Sequence, residues 1–160
     1  MGRNNVYFDD MIVGHRASLG TIEVKREDVI EFARNYDPQP FHLSDEAAAQ
    51  TFFGRLSASG WHTATMLMRQ YVDHCLHNRA PDAMIAGLGM EDINWLQPVY
   101  PGDTLHCEAE LLEKIPSTSR QDRGVTRTRM SAKNQNGELV ITMIGKAMIR
   151  RRPQQEATGD

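Results

Sequence analysis

The chain has 160 residues, 40% hydrophobic and 24% charged, the length of one ordinary domain and enough to bury about 70% of its unfolded surface without disulfide staples. Its 18 Lys and Arg stand against 21 Asp and Glu, a formal net charge of -3, so no general attraction to nucleic-acid phosphates is expected. No apolar run reaches the roughly 18 to 20 residues of a membrane helix, and MGRNNVYFDD lacks the apolar stretch of a signal peptide; a soluble, cytoplasmic protein without a membrane partner is expected.

The first half carries helical spacing and the second half two-residue alternation, which predicts an α+β domain with helix packed on a mainly antiparallel sheet. In EDVIEFARNY, Val29, Ile30, Phe32, Ala33 and Tyr36 recur at helical spacing, and Pro38 forbids continuation, so this helix stops at Asp37. Ser44 followed by Asp45 and Glu46 reads as an N-cap with first-turn acids, opening a short helix that Gly54 can end. The longest helix begins between Ser57 and Gly60 and runs through His77, with one stripe of Trp61, Ala64, Thr65, Met68, Tyr71, Val72, Cys75 and Leu76; such a helix, apolar over most of its first half, is expected to be buried. Strands are predicted at 84–95, 104–114, 124–134 and 138–150, with QPVYPGD and NQNG supplying turns. Both faces of the last strand are apolar, which predicts surface that a lone subunit would expose, and hence a homodimer or a dimer of dimers. A single domain over 1–150 and a polar flexible tail over 151–160 complete the reading.

Several residue groups could carry chemistry. Asp37 and His42 are held in the stiff segment DPQPFH, where a carboxylate and an imidazole aimed at one point can activate a water without a metal. Spacing alone does not separate this pair from an Asp that ends a helix and a His that fills a core. Gly60 opens the long helix, where free N–H groups and the positive dipole end suit a developing oxyanion; a close packing contact explains a Gly there equally well. His74 and His77 have an i, i+3 spacing without an evident third ligand, so no metal site is predicted. Cys75 and Cys107 fall in no metal-type spacing and read as reduced thiols. Arg127, Arg129 and Arg150 to Arg152 read either as a solvated sheet face or as contacts for an anionic ligand.

Together, FARNYDPQPFHLSDEAAAQTFFGRLSASGWHTATMLMR and INWLQPVYPGDTL resemble the MaoC-like dehydratases, the (R)-specific enoyl-CoA hydratase group of the hot-dog superfamily. The resemblance runs from about Tyr7 to Arg150. Its core is Asp-x-Asn-Pro-Leu-His, here Asp37-Pro38-Gln39-Pro40-Phe41-His42. It implies a curved antiparallel sheet wrapped round the long helix, a dimer with active sites between subunits, and reversible hydration of trans-2-enoyl-CoA to (R)-3-hydroxyacyl-CoA. By position it implies that Asp37 and His42 hold the catalytic water and that the Gly60 N–H holds the thioester oxygen. Gln39, Ser59, Trp61 and His62 become candidate substrate contacts. An acyl-CoA or acyl-carrier thioester is the implied partner, and no further cofactor or metal is called for. Two departures stand out: Gln39 where Asn is usual, and Ser59 where many members have His. The alternatives are a hot-dog thioesterase, for which the long helix offers only Asp73, and a noncatalytic acyl-thioester binding domain.

Overall fold

A computed structural model describes residues 5–154. After a single 3-10 turn at Phe8–Asp10, the chain forms β1 (Arg16–Glu23), α1 (Arg26–Tyr36), a second 3-10 turn (Pro40–His42) and the four-residue α2 (Asp45–Ala48). It continues with α3 (Gly60–Asn78), β2 (Met84–Trp95), β3 (Thr104–Pro116), β4 (Arg123–Lys133) and β5 (Leu139–Arg150). The strands form one antiparallel sheet in the order β1-β3-β4-β5-β2. The central registers set Ala109 against Met130 and Met130 against Met143. Leu105, Met130, Ile141 and Met143 are fully buried in one core with Ala64 and Leu67 of α3.

The predicted strands from Met84 onward are present, but β1 was not anticipated. Its buried residues, Leu19 and Ile22, are out of two-residue phase because the pairing with β3 shifts between Ser18 and Gly20. Gly20 takes φ +89°, a left-handed conformation that a bulge needs and glycine supplies cheaply.

The long helix spans 19 residues, about 28 Å at 1.5 Å per residue. Its burial differs from expectation. Its buried residues are His62, Thr63, Ala64 and Leu67, of which Ala64 and Leu67 pack in the core with the sheet and His62 stacks on Phe32 of α1, while Trp61, Val72 and Leu76 of the apolar stripe remain exposed. β5 does not expose the apolar surface expected of it in a lone subunit. β5 is an inner strand between β4 and β2, and Val140, Ile141, Met143 and Ile144 are all buried. The exposed apolar surface lies instead on the edge strand β2 and its continuation, at Met84, Leu88, Met90, Trp95 and Leu96.

Residues 151 and 152, expected to begin a flexible tail, are fastened. The Arg151 N–H donates to the Asp122 carbonyl at 2.8 Å, the Arg151 side chain pairs with Asp9 at 2.8 Å, and Arg152 pairs with Asp10 at 2.6 Å. Carboxylates of the first 3-10 turn thus give this end of the chain counter-charges that its composition did not reveal. The remainder of the predicted tail, 155–160, lies outside the described residues. Among the described residues no helix is long and apolar enough to cross a membrane.

Candidate active site

α1 ends where the sequence requires. The Asp37 N–H still donates to the Ala33 carbonyl at 2.9 Å, but Asp37 itself leaves the helical region, with φ -150° and ψ 69°, because Pro38 disfavours helix in the residue before it. Pro40 then opens the tight turn that carries His42, whose N–H donates to the Gln39 carbonyl at 2.9 Å. Two prolines therefore fold the five-residue spacing back on itself. His42 Nε2 lies 3.6 Å from Asp37 Oδ2, and His42 is 4% exposed.

The other ring nitrogen fixes the imidazole. His42 Nδ1 lies 2.7 Å from the Ser57 carbonyl, an acceptor only, so Nδ1 carries the proton and donates. In the neutral form of the ring, His42 then presents a bare Nε2 towards Asp37. At 3.6 Å the two acceptors are too far apart for a direct hydrogen bond, and each keeps a lone pair for a third, proton-bearing oxygen.

Asp37 is braced from both sides. Gln39 Nε2 donates to Oδ1 at 2.8 Å, and Ser59 Oγ donates to Oδ2 at 2.7 Å. Burial pushes the Asp37 carboxyl up, but the hydrogen bonds from Ser59 and Gln39 and the nearby His42 outweigh it and hold the group below its ordinary value. It is a carboxylate at neutral pH.

Ser59 has a second duty as the N-cap of α3. Its Oγ accepts the Trp61 N–H at 3.2 Å, and its carbonyl accepts the Thr63 N–H at 3.1 Å. The Gly60 N–H has no acceptor among the described residues, as expected of a first-turn donor. Gly60 is also packed closely: a Cβ there would lie 2.6 Å from Trp95 Cε2. Both readings of Gly60 therefore have a physical basis. Trp95 stands edge-on to Trp61 with ring centroids 5.1 Å apart.

These groups line a cleft of about 620 Å³ whose polar side holds Asp37, Gln39, His42 and Gly60, and whose apolar walls include Phe52, Trp61 and Trp95. Of the sequence candidates, Asp37, His42, Gln39, Gly60 and Trp61 meet here, and Ser59 reaches the site through Asp37. His62 does not. It is buried on the core side of α3, stacked on Phe32 at 4.8 Å, and burial pushes its imidazole pKa down. Helical geometry turns His62 about 100° from Trp61, towards Phe32 and out of the cleft lining. Sequence reasoning missed the Ser57 carbonyl that orients His42, and Trp95, which covers Gly60 from the end of β2.

The remaining candidates lie elsewhere. His77 Nδ1 is 2.7 Å from the Asp73 carbonyl, and no cluster of three or more metal-ligating side chains occurs among the described residues. Arg127 pairs with Glu91 and Glu113, and Arg129 with Glu110, so both belong to a solvated sheet face. Cys107 is buried with its pKa pushed up to about 11 by that burial.

A five-stranded antiparallel sheet curled round one long helix, with its polar cleft at the helix N-terminus, is a hot-dog fold. The chain belongs to the MaoC-like dehydratase family: the family profile described as MaoC like domain matches residues 12–134. Among curated proteins, it is 29% identical over 153 residues to 3-hydroxybutyryl-CoA dehydratase of Methylorubrum extorquens, covering 95% of this chain and 88% of that one. It is 37% identical over 68 residues to mesaconyl-CoA hydratase of Cereibacter sphaeroides, covering 42% of this chain but only 20% of that one. Among solved structures, the MaoC-like dehydratase from Rhodospirillum rubrum is 39% identical with a TM-score of 0.82, covering 94% of this chain and all of that one.

Proposed function

We propose that this protein is a hydro-lyase that reversibly adds water to a trans-2-enoyl thioester, giving the (R)-3-hydroxyacyl thioester. The observation that carries the proposal is the Asp37 and His42 pair, 3.6 Å apart, beside the free N–H of Gly60. A water placed between Asp37 Oδ2 and His42 Nε2 donates one proton to each and turns a lone pair to Cβ. As its oxygen bonds to Cβ, one proton passes to the pair, and a proton returns to Cα. The negative charge that builds on the thioester oxygen is met by the Gly60 N–H at the positive end of α3. Atoms balance: hydroxyl goes to Cβ and hydrogen to Cα. Delivery of both from one pair gives syn addition. Acid/base positioning contributes roughly 10² to 10⁴ and one oxyanion donor roughly 10² to 10³ in rate. The named acyl-CoA dehydratase and hydratase among the relatives support the same reaction class. The thiol carrier is CoA or an acyl carrier protein.

The proposal includes a homodimer, supported by the exposed Trp61, Val72 and Leu76 on α3 beside the exposed apolar residues of edge strand β2. A thioesterase using Asp73 finds no support: that carboxylate pairs with Arg69 at 2.8 Å, one turn away near the far end of α3. Incubation with crotonyl-CoA tests the assignment. Loss of enoyl absorbance with formation of (R)-3-hydroxybutyryl-CoA is expected. Release of free thiol without hydration would establish the thioesterase, and binding without turnover the noncatalytic domain.

A further inference from the structure

The other end of α3 buries a charge that the proposed reaction does not use. Arg79 closes this helix and is 8% exposed. Its guanidinium donates to the Tyr71 hydroxyl at 2.7 Å and points a second nitrogen at the Met84 thioether at 3.8 Å. No carboxylate lies within ion-pair distance of it among the described residues. Several more exposed arginines, Arg16, Arg69, Arg127 and Arg152 among them, do have a carboxylate partner. Burying a charge is costly unless it is paired, so the arginine that most needs a counter-charge lacks one. The carbonyl end of α3 supplies only a partial negative charge.

Beside Arg79 opens a cavity of about 280 Å³, set between α3, the segment before β1, and strands β1 and β3. Arg79, Tyr71, His74 and His15 form its polar wall, and Ile12 and Leu111 are among its apolar groups. Asp10 also lines it, but that carboxylate is engaged by the Tyr7 N–H at 2.9 Å and by Arg152. Burial, then Arg79, His15 and His77, push the His74 imidazole pKa down. At about 30 Å³ per water-sized group, the cavity accommodates about nine such groups. None of its lining residues is shared with the Asp37 cleft.

We propose that this cavity is a second binding site, remote from the reaction cleft, that takes a small carboxylate carrying a short apolar chain, with Arg79 and the Tyr71 hydroxyl holding the carboxylate. The guanidinium fork matches a carboxylate in plane and charge, and the apolar walls suit a chain of about four to six carbons.

Hexanoate, with hexanamide as the neutral isostere, tests this on the full-length protein. Binding is followed by calorimetry and by the ring signals of His74. Hexanoate is expected to bind and to raise the His74 pKa, because an added negative charge favours the imidazolium, while hexanamide binds at least about 10-fold more weakly. Arg79→Met should weaken hexanoate at least about 10-fold, and Asp37→Asn should leave it unchanged. If Arg79→Met does not fold, Ala17→Leu, which narrows the cavity from β1, should exclude hexanoate by itself. Equal affinity for acid and amide, retention of binding in both variants, or competition between hexanoate and the acyl thioester would overturn the proposal. So would a wild-type protein that shows no binding at millimolar hexanoate, the result expected if a carboxylate of another copy already occupies Arg79.

Discussion

Replacing Ser59 by Ala removes one hydroxyl with two jobs. It donates to Asp37 Oδ2 at 2.7 Å and accepts the Trp61 N–H as the N-cap of α3. An N-cap Ser to Ala change costs about 0.5 to 2 kcal/mol, and a hydrogen bond to a charged group contributes about 1.5 to 3 kcal/mol. Because one atom serves both, a loss of about 2 to 3 kcal/mol is expected, a fall in Tm of roughly 5 to 10 °C for a chain of this size. The pH dependence separates the roles. The folded-state pKa of Asp37 lies below its ordinary value, so Asp37 contributes stability above its unfolded pKa, and that contribution is lost as pH falls through the folded one. Without Ser59 the folded pKa rises, and the acid limb of kcat/KM moves to higher pH. Ser59→Gly keeps most of the cap preference but lacks the donor, so it should move the acid limb with a smaller stability loss. Ser59→Thr should restore both. Thermal melts and pH-rate profiles of the three variants provide the measurement. An acid limb that stays in place in both Ala and Gly variants would refute the argument that Ser59 holds the Asp37 carboxylate.

Asp37→Asn and His42→Ala should each lower kcat by at least about 10² while the fold is retained, because each removes one of two water acceptors; near wild-type turnover in either soluble variant contradicts the assignment. Gly60→Val must displace Trp95, since even a Cβ would stand 2.6 Å from its ring, and overpacking of this kind costs about 1 to 3 kcal/mol. Combined with Trp95→Ala it should regain stability yet stay at least about 10²-fold below the Trp95→Ala protein in kcat/KM, the low end for losing an oxyanion donor. Recovery of both would leave Gly60 a packing residue only. Sedimentation should show a dimer at micromolar concentration, and Leu76→Glu, a charge on the exposed face of α3, should dissociate it; a wild-type monomer would remove the intersubunit site.

The parts of the fold that follow from local pattern were legible. Alternation located β2 to β5, the proline after Asp37 located the end of α1, and the segment from Ser57 to Gly60 bracketed the start of α3. What depended on distant packing was not. β1 hid behind its bulge at Gly20, and the apolar stripe of α3 mixes residues that pack on the core, Ala64, Met68 and Tyr71, with residues the sheet leaves open, Trp61, Val72 and Leu76. The site shows the same division. Asp37 and His42 lie in one stiff segment, so their meeting is a local property. The brace from Ser59, 22 residues away, the Ser57 carbonyl that sets the His42 tautomer and the indole of Trp95 over Gly60 depend on how α3 docks, which no spacing in the sequence encodes.

The arginine clasp of the 151–152 segment gives the two ends of α3 different sensitivities to salt. Asp9, Asp10, Arg151 and Arg152 are all partly exposed, so added electrolyte screens their attraction. The contacts that seat His42 and Ser59 are buried and are screened far less. Amide hydrogen exchange should therefore accelerate with ionic strength around Asp9 to Met11, whose Asp10 and Met11 line the Arg79 cavity, while the first turn of α3 keeps its protection. Ionic strength then becomes a control on how readily the wall of that cavity opens, independent of the cleft at the helix N-terminus.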